Sequence, residues 1–190
     1  MAYDDGRTRN CRLRQDDSPL DAGHAECMGG SSADKGIVSV VRTETIPCEP
    51  AEFLEFVLDI DRYAEVDDKI VPVLWSRRDG DVVQFACRPK IAGLRLPKVE
   101  QTMRLTPGQR IDIALTPPPA NRLGNAVARF EASFACRAVP GGTEVIRSLR
   151  FRFAPSFRWL LAPLFRRRLP AEVQVEMARA RQHFAAGTSG

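Results

Sequence analysis

TETIPCEPAEFLEFVLDIDRYAEV (residues 43–66) starts with one apolar period and ends with another. Its opening residues complete IVSVVRTETI (37–46), a run rich in β-branched side chains. There Val41, Thr43 and Thr45 share one face and Arg42 and Glu44 the other, the two-residue alternation of a half-buried strand. Beyond Pro47 the period lengthens: Phe53, Phe56 and Val57 recur at helical spacing, and Pro50 suits a first helical turn. Asp59–Asp61 then interrupts the pattern before a second short helix. A strand followed by two short helices is predicted.

Downstream the chain turns to β structure. VPVLWSRR (71–78) and VVQFACR (82–88) flank Asp79-Gly80-Asp81, a hairpin signal in which glycine supplies positive φ. Further strands are expected at about 98–106, 109–116, 125–138 and 143–153, with turns at Pro107-Gly108 and Pro140-Gly141-Gly142. PPPANRLG (117–124) is too proline-rich for a central strand and is expected to be a longer loop. From Pro155 the helical period returns through Leu169, Val173, Met177, Ala180 and Phe184, with Arg179 and Arg181 elsewhere on the wheel. Pro163 and Pro170 imply either a kink or a short helix running into a longer one that starts near Pro170.

The 190 residues, 44% hydrophobic, suffice for one domain of ordinary size with a real core. We expect that domain to occupy 36–187, preceded by a disordered tail (1–35) and followed by a short one (188–190), because 1–35 has no apolar pattern to offset chain entropy. Met28, shortly before the first strand, is a plausible alternative start. Cys11, His24 and Cys27 have a metal-like spacing but little apolar sequence around them, so no metal and no cofactor is expected. Five scattered cysteines without a C-x-x-C pair, no apolar run of spanning length and no secretory h-region point to a cytoplasmic protein. Net charge is +4, but residues 36–190 carry seventeen acidic and twenty-three basic side chains, which favours anionic partners. The basic residues lack interleaved aromatic stacking platforms, so nucleic acid is not an expected partner.

The order strand, two short helices, six antiparallel strands and long C-terminal helix resembles the SRPBCC superfamily: START, Bet v 1-like and polyketide cyclase/dehydrase proteins. Residues 43–66 resemble its first strand and helix pair, and Val71–Trp75 its second strand. RFEASFACRAVPGGTEVIRSLRF (129–151) resembles its last hairpin with the G-G-T turn, and LAPLFRRRLPAEVQVEMARARQHF (161–184) its closing helix. Cys48-Glu49 departs from the Ala-Pro often found there, with proline following only at Pro50. The resemblance implies an α+β helix-grip fold: a curved seven-stranded antiparallel sheet around the C-terminal helix, with an apolar cavity between them. A lipid, quinone or polyketide is the kind of small molecule it implies. The pattern specifies fold better than function. An aromatase/cyclase-type enzyme and a protein-interaction domain with a vestigial cavity are the alternatives.

Alternation nominates the inner face. Val145, Leu149, Phe151 and Phe153 share a face with Arg147, and a guanidinium in such company needs a carboxylate, a carbonyl or a ligand acceptor, unless a bulge or strand-end position returns it to solvent. Gln101 falls with Val99, Met103 and Leu105, placed to bond either a ligand or backbone and water. Phe130 and Phe134 share a face, Trp75 and Phe85 fall on the apolar faces of their strands, and Tyr63 follows the first helix at an expected lip of the cavity, as gate, cap or plain packing. No G-x-S-x-G, H-E-x-x-H or phosphate-loop motif occurs, so a cyclase would act by positioning its substrate with Arg147, Gln101 or Tyr63. SFRWLLAPLFRRRL (156–169) mixes aromatics with arginines, which suits either a transient membrane-surface contact or packing on the sheet with a solvated basic face.

Overall fold

The computed structural model of the chain describes residues 36–187. The expected tails, Met28 and the Cys11, His24 and Cys27 spacing lie outside the described residues. β1 (Ile37–Ile46) leads into α1 (Pro50–Leu58) and α2 (Ile60–Tyr63), and a 3₁₀ turn (Asp68–Ile70) follows. Asp59 ends α1 and starts α2, its carboxylate accepting from the Arg62 amide at 3.3 Å, which is why the helical pattern breaks there. Then come β2 (Val73–Asp79), β3 (Val82–Cys87), β4 (Lys90–Ile91), β5 (Leu94–Arg95), β6 (Val99–Thr106) and β7 (Arg110–Leu115). α3 (Arg122–Val127), β8 (Ala128–Val139), β9 (Gly142–Phe153) and α4 (Pro155–Gly187) complete the chain.

Seven strands form one antiparallel sheet in the order β1-β9-β8-β7-β6-β3-β2, and α4 lies against it. The first strand pairs with the last, Ile46 opposite Thr143, and the Thr143 hydroxyl donates to the Cys48 carbonyl at 2.6 Å, pinning the turn into α1. Gly142 makes this closure possible: a Cβ there would collide with the Ile46 carbonyl, and its φ of 139° is one that glycine tolerates. The helix-grip α+β architecture is therefore as the sequence implies.

Three details differ. β2 starts at Val73, and a β-bulge lies between Val73 and Trp75. A two-stranded hairpin, β4 and β5, is added where no strand was expected. Residues 122–127, divided in advance between a loop and a strand, form α3, so β8 starts at Ala128. Its start is held by Asn121, which accepts from the Glu100 amide at 2.8 Å and donates to the carbonyls of Glu100 and Thr116 at 2.7 Å each. Of the two arrangements expected around Pro163 and Pro170, α4 takes the unbroken one, a single long helix with both prolines inside it. Its buried stripe runs Ala162, Phe165, Leu169, Val173, Met177 and Ala180.

Candidate ligand-binding cavity

The space between sheet and α4 is filled at one end and hollow at the other. At the filled end α1 inserts Phe53 and Phe56, both fully buried. Phe53 meets Phe134 at 5.7 Å edge-on, and Phe56 meets Phe184 at 5.2 Å. At the other end Phe130, Phe151, Phe153, Leu161 and Phe165 surround a cavity of about 420 Å³. Its rings contact one another, Phe151 and Phe153 each lying 5.0 Å from Phe165. Pro97 and Lys98 on one side and the 119–124 segment on the other complete its lining. α3 contributes no buried side chain and so covers this end without plugging it.

Beyond Gln101, Phe130, Ile91 and Pro89, which line both spaces, lies an inner chamber of about 30 Å³. Its polar wall is Tyr63, Asp67, Lys69 and Arg147. Glu176, on the buried stripe of α4, ties three of these together. It accepts from Arg147 Nε at 3.0 Å, from Lys69 Nζ at 2.6 Å and from the Tyr63 hydroxyl. Lys69 also pairs with Asp67 at 2.6 Å. All four charged side chains are more than nine-tenths buried. The Arg147 guanidinium lies 4.0 Å above the Phe134 ring, and its Nη1 is buried with no hydrogen-bond partner among the described residues.

Electrostatics follow from this packing. Burial pushes the Glu176 carboxyl up, but the charges of Arg147 and Lys69, with hydrogen bonds from Lys69 and Tyr63, outweigh it and hold the group at about 2. Burial and the neighbouring Glu176 raise Asp67 above its ordinary value despite Lys69. Burial would depress Lys69, yet the two carboxylates leave it above its ordinary value and firmly protonated. Burial, then the Glu176 charge, raises Tyr63 well above 10, so it remains a phenol. The cluster offers protonated donors and no free base.

The nominated residues divide accordingly. Arg147 points inward, at 4% exposure, and takes its carboxylate from α4; the solvated alternative does not hold. Arg147, Gln101, Tyr63, Phe85, Met103 and Phe130 line the inner chamber, while Phe151, with Gln101 and Phe130 again, lines the larger cavity. Gln101 donates to the Cys87 sulfur at 3.7 Å. Tyr63 is wholly buried against Phe56 and Phe134, a donor to Glu176 rather than an exposed gate. Phe134 lines neither space: it is core, and the platform beneath Arg147. Trp75 must be corrected, since it is 40% exposed. The bulge sets it opposite Ala86 while Ser76 faces Phe85, and directly opposed residues share a face.

Sequence reasoning missed Asp67, Lys69 and Glu176. Glu176 had a signal: it lies seven residues after Leu169 and three after Val173, on the apolar stripe of its helix, where an acid needs a partner. Asp67 and Lys69, in a short irregular stretch, had none.

A profile of the family described as polyketide cyclase / dehydrase and lipid transport matches residues 38–185. No curated protein matches the chain by sequence. Among solved structures, the di-domain ARO/CYC StfQ from the steffimycin biosynthetic pathway superposes with a TM-score of 0.65 at 10% identity, covering 83% of this chain and 54% of that one. The di-domain ARO/CYC BexL from the BE-7585A biosynthetic pathway gives 0.62 at 15% identity, covering 79% and 50%. Zhui aromatase/cyclase from Streptomyces sp. R1128 gives 0.60 at 15% identity, covering 80% and 98%. The chain thus spans about half the length of the two di-domain proteins, and at these identities the likeness is one of fold.

Proposed function

The chain belongs to the polyketide cyclase / dehydrase and lipid transport family, and from that premise we propose that it holds an apolar small molecule of the lipid, quinone or polyketide class between its sheet and α4. One observation carries the reading: the cavity of about 420 Å³ is walled mainly by phenylalanine, proline and aliphatic side chains, with Lys98, Asn121 and Arg122 the polar part of its outer lining and Gln101 at its inner end, beyond which the Arg147 cluster lies. Sites for small organic ligands have this size and this ratio of apolar wall to placed polar groups. Native mass spectrometry of gently purified protein tests it. A co-purified small molecule at one copy per chain is expected, and Ala128→Trp, which fills the cavity from its wall, should abolish it. Retention of the same adduct by Ala128→Trp would place the molecule elsewhere.

A cyclase reading is favoured by the cationic donors of that cluster, Lys69 and Arg147, which can orient carbonyl oxygens of a folded poly-β-keto chain. It predicts conversion of a poly-β-keto thioester into a ring product that Arg147→Met abolishes; the carrier reading predicts binding without conversion.

Delivery to the cavity suits a lipid surface. Phe157, Trp159 and Leu160 are exposed on the first turns of α4, Trp159 by 72%, and Leu123 of α3 is exposed by 75% at the cavity rim. Arg158 and Arg167 stand among them. Apolar side chains flanked by arginine fit an anionic bilayer. Co-sedimentation with phosphatidylserine vesicles, lost in Trp159→Ser/Leu160→Ser, is the expected result; equal binding by that variant would refute the contact. Among the described residues no helix is long and apolar enough to cross a membrane. Cys48, Cys87 and Cys136 are free thiols, which suits the cytoplasmic placement we favour.

A further inference from the structure

We infer that the sheet carries a second interaction surface, on the face turned away from α4 and the cavity, and that its occupant is the acidic stretch of the chain's own N-terminal segment, residues 16–34. The charges of the face lead there. Alternation along β6 to β9 puts Arg104, Arg110, Arg129, Arg137, Arg150 and Arg152 on it, against Glu100, Asp112, Glu131 and Glu144. Three of those acids are engaged: Lys98 holds Glu100 at 2.9 Å, Arg110 holds Asp112 at 2.7 Å and Arg137 holds Glu144 at 2.9 Å. Arg104, Arg129, Arg150 and Arg152 are exposed and have no hydrogen bond or ion pair among the described residues, and only Glu131, across from Arg150, is left to balance them. Arg129 and Arg152 stand directly opposite each other, an arrangement that destabilises a strand pair and that an anion between them relieves. Beside them a cleft of about 520 Å³ is lined by Arg104 and Arg150 together with Thr102, Ser133 and Ser148, whose hydroxyls can also donate to a carboxylate.

The occupant follows from charge and from where the chain joins the sheet. Residues 16–34 contain Asp16, Asp17, Asp21, Glu26 and Asp34 and no lysine or arginine. This segment enters the fold at Ile37, whose register partner on β9 is Arg152 itself. Its reach is sufficient: from Ile37 back to Asp21 a chain spans roughly 20–24 Å, whereas β9 to β6 cover about 15 Å at the spacing of neighbouring strands. Tethered carboxylates act at an effective concentration in the millimolar range, which a free acidic partner has to exceed. Pairing of exposed charges also needs no apolar pattern, which the segment lacks.

A nitroxide on Cys27 of the full chain, with Cys11, Cys48 and Cys136 replaced by serine and Cys87 left buried, reads the contact through broadening of backbone amide signals. Tethering alone broadens amides near Ile37 at any ionic strength, so the salt-dependent part is the test. In about 10 mM salt the amides of 129–133 and 148–152 should lose roughly half of their intensity or more, and regain it in about 1 M, where the screening length falls from about 30 Å to about 3 Å. Arg129→Gln/Arg150→Gln/Arg152→Gln should remove that part of the broadening. Asp16→Asn/Asp17→Asn/Asp21→Asn/Glu26→Gln should remove it too, without touching the folded domain. Broadening that ignores salt, or that survives in either variant, would overturn the inference. Broadening that fades on dilution would assign the face to the segment of a second copy and overturn it as well. Poly-L-glutamate stands in for a free acidic partner: it should bind the acid-neutralised chain roughly ten-fold more tightly than the wild type, and equal binding would show the face open and the inference wrong.

Discussion

The two ends of the space beneath the sheet use the same residue type to opposite effect. Phe53, Phe56, Phe134 and Phe184 interlock at one end, while Phe130, Phe151, Phe153 and Phe165 line a hollow at the other. The difference lies in the covering element. α1 buries five side chains in the interior, whereas α3 buries none. Aromatic content therefore does not mark a cavity; what decides is whether a helix inserts its side chains or merely roofs the space. Between the two ends stands the Arg147–Glu176 cluster, at once a boundary of the packed core and the polar pole of the hollow.

Truncation of one ring at each end breaks or confirms this contrast. Phe134→Ala removes a fully buried ring from the packed end and should cost about 3–5 kcal/mol by chemical denaturation. Phe130→Ala, on a half-buried ring facing the cavity, should cost no more than about 1.5 kcal/mol. Equal losses would mean that the second end is packed as well.

The boundary cluster is sharpened by pH. Glu176 titrates at about 2 in the folded chain against 4.5 as its ordinary value. Its folded pKa is depressed, so its stabilisation is present above 4.5 and is lost as pH falls from there through about 2. Asp67, raised in the fold, takes up its proton at a higher pH than in the unfolded chain and acts in the opposite direction. Because Glu176 itself raises Asp67, the comparison of wild type with Glu176→Gln reads both groups: the difference in unfolding free energy should shrink between pH 5 and pH 2, by at most roughly 2–3 kcal/mol. A difference independent of pH would show that Glu176 is not held ionised by its neighbours.

A smaller effect tests the roof. Asn121→Ala removes three hydrogen bonds that seat α3 on the strand edge and should cost about 1–2 kcal/mol. Amide exchange should quicken in 121–127 while α1 stays protected. Equal quickening at both ends would contradict the idea that α3 is a separable cover.

Much of this fold was legible in the sequence, because a switch of period at Pro47, glycine turns at Gly80 and Gly141-Gly142, and the stripe on α4 are local signals. The inward setting of Arg147 was legible from alternation. Trp75 was misread because a bulge shifts the face of every later residue of its strand, and nothing in VPVLWSRR marks it. The helix at 122–127 was hidden by a glycine and three prolines, since its support is tertiary: Gly124 lies close to Leu115 and Val99. Lys69 and Asp67 were invisible because their role depends on Glu176 more than a hundred residues away.

The central claim is that one end of the interior is hollow and ligand-accessible while the other is closed, and aromatic carbon NMR during titration with 2-isopropenylnaphthalene tests it most directly. Shifts confined to Phe130, Phe151, Phe153 and Phe165, with Phe53, Phe56 and Phe184 unmoved, are the predicted result. Shifts at the α1 rings, or none at the cavity rings, would contradict it.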